Sequence, residues 1–118
     1  MINSKARVLE IRPVLDALEL IGGRWKFVIL YSLCDGKKRF KDLIADIEKI
    51  TPKMLSKELK DLEKNGLVTR HAIATVPVTV EYEITEYGQT LEPVMLHIQD
   101  WGRKHREKIR SECPDKNE

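Results

Sequence analysis

Two amphipathic stretches meet at residues 50–52 with almost nothing between them, and that corner constrains the fold more than any other feature of the chain. Phe40, Leu43, Ile44 and Ile47 recur at helical spacing and predict a helix over 40–50. Thr51-Pro52 then has the residue types of a helix start, and Gly66 those of a stop. Between them Leu55, Leu59 and Leu62 take one side of a second helix. Lys53, Lys57, Lys60 and Lys64 take the other, within a stripe about 60° wide. Two helices separated only by an Ile50–Pro52 corner make a helix-turn-helix unit. Like charges at helical-neighbour spacing repel by a few tenths of a kcal/mol per pair. The stripe therefore suggests a polyanion outside the chain that offsets the repulsion.

The flanking segments supply more helices and a hairpin. Val14, Leu15, Leu18 and Ile21 predict a first helix over 12–22, with Pro13 in its first turn and Gly22-Gly23 breaking it. The apolar run Trp25–Leu33, ended by Asp35-Gly36, reads as a buried second helix, although periodicity alone also admits a strand. After Gly66, LVTRHAIA and VTVEYEIT are rich in β-branched residues and predict two antiparallel strands. Thr85 suits an N-cap, and a last helix runs to about Arg110, with Pro93 implying a kink or break near residue 89. The expected fold class is mainly α with a small β-hairpin wing (α+β), a winged helix-turn-helix whose terminal helices mediate dimerisation.

At 118 residues the chain has the length of one ordinary domain, with a core over about 12–102 and a basic helix and tail after it. No apolar run approaches the ~18 residues of a membrane span, and the N-terminal stretch lacks an apolar leader core. Two cysteines, Cys34 and Cys113, make no disulfide framework, so the cytoplasm is the expected compartment. Net charge is only +2, but it is segregated. Residues 37–70 carry ten Lys/Arg against six Asp/Glu, residues 71–102 carry five acids and no Lys/Arg, and residues 103–110 carry five basic residues and Glu107. Such segregation suggests an oriented molecule with a basic working surface.

The stretches LELIGGRWKFVIL, RFKDL, ITPKMLSKELKDLEKNGLVTR, VPVTVEYEIT and EYGQTLEPV together resemble the HxlR-type transcriptional regulators, relatives of the MarR group, over roughly residues 12–102. The resemblance implies a small dimeric DNA-binding protein. It departs at two positions. Many members have a cysteine before the proline that opens the first helix, and some use it to sense electrophiles or oxidants; Arg12 stands there, so the resemblance does not extend to that chemistry. Family wings often carry a basic residue where this chain has Thr79.

The expected DNA contacts are Arg39, Thr51, Lys53, Ser56, Lys57, Lys60 and Arg70. Lysines would meet phosphates or guanine acceptors, and hydroxyls at the helix start would meet phosphate or base edges. Arg39 and Arg70 have an equal alternative as partners of a carboxylate within the fold. Trp25, Phe27, Phe40 and Tyr82 are expected in the core. Leu15 and Leu18 of the first helix, with Leu91, Met95, Ile98 and Trp101 of the last, are expected at the subunit interface of a homodimer. Cys34 reads as a small buried residue and Cys113 as an inert thiol of the tail.

Double-stranded DNA and a second copy of the chain are thus the expected partners; a small-molecule effector is a further candidate, its identity unspecified. An enzyme is the competing class, but no nucleophile elbow, Walker loop or dinucleotide fingerprint is present. His71, His97 and His105 lack ligand spacing with Cys34 or Cys113, so neither a metal nor a cofactor is expected. A third reading is a winged helix used only for protein interaction, which predicts weak, salt-insensitive behaviour toward DNA.

Overall fold

The structure is a computed structural model and describes residues 10–112. The expectation for Cys113 therefore lies outside the described residues. In chain order the elements are α1 (Ile11–Ile21), α2 (Trp25–Leu33), β1 (Lys38–Arg39), α3 (Phe40–Asp46), α4 (Pro52–Lys64), β2 (Val68–Ile73), β3 (Thr79–Ile84), α5 (Glu86–Gln89) and α6 (Glu92–Glu112). The fold is mostly helical with a small antiparallel sheet, and the α3–α4 pair followed by the β2–β3 hairpin is a winged helix-turn-helix.

Local chemistry accounts for the ends of α4. Thr51 Oγ1 accepts a hydrogen bond from Met54 N–H at 3.1 Å, the N-cap bond that satisfies one orphan donor of the first turn. Pro52 opens the helix, where its missing N–H costs nothing. At the other end Gly66 takes φ +78°, a conformation that a side chain disfavours. Leu67 N–H then reaches back to the Leu62 carbonyl at 2.9 Å and Gly66 N–H to the Glu63 carbonyl at 3.0 Å. That pair of bonds is a Schellman ending, and it drops Leu67 into the core.

Two features differ from the sequence expectation. The third helix ends at Asp46 instead of reaching residue 50, because Ile47 turns to extended backbone and Lys49 adopts φ +71°. This longer turn lets both Ile47 and Ile50 enter the core. The sheet also has three strands, in the order β1-β3-β2. Residues 38 and 39 pair with Tyr82 and Glu81 of β3, and the hairpin register sets Val68 opposite Ile84 and Arg70 opposite Tyr82. A two-residue strand has no period to read, so this edge was not expected.

The core gathers Ile29, Leu30 and Leu33 of α2, Leu43 of α3, Leu55, Leu59 and Leu62 of α4, and Val68, Tyr82 and Ile84 of the sheet. Trp25, Phe27 and Phe40 pack against it, half-buried. The strand alternative for residues 25–33 is thereby removed. Thr85 caps α5 by accepting from Gly88 N–H at 2.9 Å, and donates its hydroxyl hydrogen to the Gly66 carbonyl at 2.7 Å. The terminal helix is broken after Gln89, and Pro93 falls in the first turn of α6. Radius of gyration is 17.7 Å, well above the ~13 Å of a compact chain this long. Among the described residues no helix is long and apolar enough to cross a membrane.

Candidate nucleic-acid interface

α4 presents its leucines inward and its lysines outward, as the spacing requires. Leu55, Leu59 and Leu62 are buried, whereas Lys53, Lys57, Lys60 and Lys64 are exposed. With Ser56, half-buried beside them, and with Asp61 and Glu63 toward the C-terminal end, these lysines line one shallow concave surface. No acidic residue occupies the first turn of α4, so the positive end of the helix dipole and Lys53 act in the same direction. Thr51 stands at that end, exposed; its oxygen caps the helix while its O–H remains a donor.

The two arginines are placed differently. Directly opposed residues of an antiparallel pair share a sheet face. Arg70, opposite Tyr82, therefore lies on the face carrying Val68 and Ile84, which packs on the helices, and it emerges exposed at the margin of that face. Arg39 lies opposite Glu81, on the other face and the other edge. Its Nε is 3.6 Å from Asp42 Oδ2, and Asp42 also accepts the Arg39 N–H at 3.0 Å. Arg39 thus has the internal carboxylate partner foreseen as its alternative. Arg70 has none within 4.0 Å among the described residues. The site consequently brings Thr51, Lys53, Ser56, Lys57 and Lys60 together on one helix and leaves Arg39 apart.

The wing carries a polar outer face and an apolar tip. His71 Nε2 lies 3.2 Å from Glu83 Oε1 and 3.2 Å from Thr69 Oγ1. Val76 and Val78 at the tip are exposed. With Thr79 in place of a cation, Arg70 is the hairpin's single Lys/Arg residue, against Glu81 and Glu83.

One feature of α4 has no signal in the sequence. Lys26 of α2 reaches across to it, with Nζ 2.6 Å from Glu58 Oε1 and 3.3 Å from Asp61 Oδ2. The hydrogen bond to Glu58 is the main cause holding the Lys26 pKa above its ordinary value, against the opposing effect of burial. The partners lie 32 and 35 residues apart, a separation that no local pattern reports.

The apolar faces of the end helices are open. Ile11, Val14, Leu15 and Leu18 of α1 are about half exposed, as are Val94 and Ile98 of α6, and Trp101 is 66 % exposed. Met95 departs from expectation: it is fully buried in the core of its own chain, so it is no interface residue. The start of α6 packs on α2, and that docking carries Met95 inward while Ile98 and Trp101 stay outside. Leu91 is half-buried against the same core.

Fold and site together define a winged helix-turn-helix protein whose second helix of that unit carries an exposed lysine face. The HxlR-like helix-turn-helix family profile matches residues 20–110, and the chain belongs to that family of transcriptional regulators. It is 48% identical over 97 residues to the HTH-type transcriptional regulator YdeP of Bacillus subtilis (strain 168), covering 82% of this chain and 76% of the relative. Among solved structures, the reduced form of the redox regulator HypR superposes with a TM-score of 0.79 at 42% identity, over 84% of this chain and 98% of that one. The reduced form of the transcriptional regulator YodB from B. subtilis gives 0.68 at 38% identity, over 86% and 91%.

Proposed function

We propose that the protein regulates transcription by binding inverted-repeat operator DNA as a homodimer, with α4 in the major groove. The observation that carries this reading is the α4 surface itself. Four exposed lysines and a half-buried serine share one face, free of acids in the first turn, on the second helix of a helix-turn-helix. Such a helix enters the major groove while the helix before it crosses the backbone. Lys53, Lys57 and Lys60 displace counterions at phosphates or donate to guanine, and the Thr51 and Ser56 hydroxyls donate to phosphate oxygens. Arg70 adds a contact from the wing, and Arg39, at the start of α3, approaches the backbone where the first helix crosses it. The open stripes of α1 and α6, centred on Leu15, Leu18, Ile98 and Trp101, join two copies, with Leu91 at their edge. A two-fold pair sets the reading helices about 34–36 Å apart, matched to an inverted repeat.

Redox regulation, which the name of HypR attaches to that relative, is not part of the proposal, since Arg12 precedes Pro13. Nor is catalysis, given the regulatory family and a surface built for charge. The test is Lys53→Ala with Lys57→Ala, both outside the core. The slope of log K against log salt on duplex DNA should shrink by about 0.9 for each phosphate that is no longer neutralised. Unchanged affinity and slope would reject the reading and favour a winged helix used for protein interaction.

A further inference from the structure

The DNA-facing helix carries its own competitors for its lysines. Asp61 follows Lys57 by four residues and precedes Lys64 by three, the spacings at which helical side chains pair. Glu58 Oε2 is already 4.0 Å from Lys57 Nζ. An ammonium held by a carboxylate of its own helix is a poorer counterion for phosphate. In the structure Lys26 competes for both acids, engaging one oxygen of each. Its Nζ lies 2.6 Å from Glu58 Oε1 and 3.3 Å from Asp61 Oδ2; the Lys26 and Glu58 side chains are only 18 % and 15 % exposed, whereas Asp61 is 41 % exposed and borders the lysine surface.

We infer that Lys26 is a positioning residue for DNA binding: from α2 it engages one carboxylate oxygen each of Glu58 and Asp61, and so loosens their hold on Lys57 and Lys64 and leaves those ammoniums available to phosphates. The inference rests on the reading of the α4 face as a DNA-binding surface. Lys26 itself does not line the lysine surface. Its action is therefore indirect and electrostatic, through the two carboxylates. Without Lys26, Glu58 is left with Lys57, already 4.0 Å away, and Asp61 with Lys57 and Lys64 at helical pairing spacing. A clamp that served stability alone would leave the salt dependence of DNA binding unchanged.

The experiment titrates mixed-sequence duplex DNA with the full chain over a series of salt concentrations, and follows thermal unfolding in parallel. Lys26→Met should reduce the slope of log K against log salt by about 0.9 for each lysine withdrawn, which near 0.1 M salt is about a tenfold fall in affinity per lysine. Lys26→Arg, which keeps the charge, should restore the parental slope. With Glu58→Gln and Asp61→Asn in place, adding Lys26→Met should leave the slope unchanged, because nothing remains to compete. That pair has no uncompensated carboxylate and keeps the test valid even if Lys26→Met alone fails to fold. A parental slope in folded Lys26→Met, or a fall in slope on adding it to the neutralised pair, overturns the inference while the DNA reading stands. A parent that binds duplex without salt dependence overturns both.

Discussion

Lys38 Nζ lies 2.6 Å from Asp46 Oδ2 and 2.9 Å from Ser32 Oγ, and Ser32 Oγ is 3.1 Å from the same carboxylate oxygen. The three side chains tie β1, the end of α3 and α2 together where the third helix stops. Hydrogen bonding from Lys38, then from Ser32, holds the Asp46 pKa below its ordinary value. A carboxyl depressed in the native state binds its proton more readily when unfolded, so its contribution to stability is present above the unfolded value, about pH 4, and lost as pH falls further. Asp46→Asn should therefore flatten the acid limb of a melting-temperature profile between about pH 5 and 2. A profile parallel to the parent's would show that the triangle contributes nothing.

Gly88 supports the junction between the hairpin and the terminal helices. A Cβ there would lie 2.4 Å from the Leu67 carbonyl oxygen and 2.7 Å from Ile84 Cγ1. The nearer atom is backbone, in the chain just after the Schellman ending, and cannot swing aside. Gly88→Ala should cost about 1–3 kcal/mol, read as a lower urea midpoint. Gly102 is the control: a Cβ there meets nothing within 4 Å, so alanine in the middle of α6 should be neutral or stabilising by up to about 1 kcal/mol. Equal midpoints for Gly88→Ala and the parent would refute the close approach.

What the sequence made legible was local. Thr51, Gly66 and Thr85 as caps act within four residues of themselves, and residue type announces them, although the Thr85 bond to the Gly66 carbonyl spans 19 residues. The leucine and lysine sides of α4 follow from a period that survives folding unchanged. Lys49 has no residue-type signal for its positive φ, so the turn between α3 and α4 came out too short. β1 exists only because β3 lies beside it. Met95 sits at the right helical spacing to join Ile98 and Trp101, yet the docking of α6 on α2 turns it inward. Lys26 has the sequence context of a solvated lysine and gains its role only when α4 folds against it. Each of these depends on a neighbour distant in the chain, which periodicity does not report.

Cys34 offers a test of redox inertness. It is half-buried at the end of α2, and burial raises its pKa, with Glu92 and Asp35 adding to the rise. The thiolate is the reactive form, so alkylation of Cys34 at neutral pH should be slow in the native protein and accelerate in urea. Cys34→Ser should leave the oxidant response of DNA binding unchanged. Rapid native labelling, traced to Cys34 by peptide mapping, would contradict that assignment.

Trp101 decides the assembly. Its indole is 66 % exposed and stacks on His105 of its own helix, with ring centroids 5.0 Å apart, so the fold of the single chain does not require it. An aromatic surface of this size beside Val94 and Ile98 is costly to leave in water. Trp101→Glu places a charge in that stripe and should convert a dimer at micromolar concentration into a monomer with native circular dichroism. Met95→Ala serves as the contrast, because Met95 belongs to the core: it should lower stability by about 2–5 kcal/mol without selectively dissociating the dimer. DNA affinity should fall in Trp101→Glu, since two linked reading helices bind far more tightly than one. Sedimentation equilibrium measures the first outcome directly. A parent chain that sediments as a monomer, or a Trp101→Glu variant that remains dimeric, would remove the α1–α6 surface as the interface.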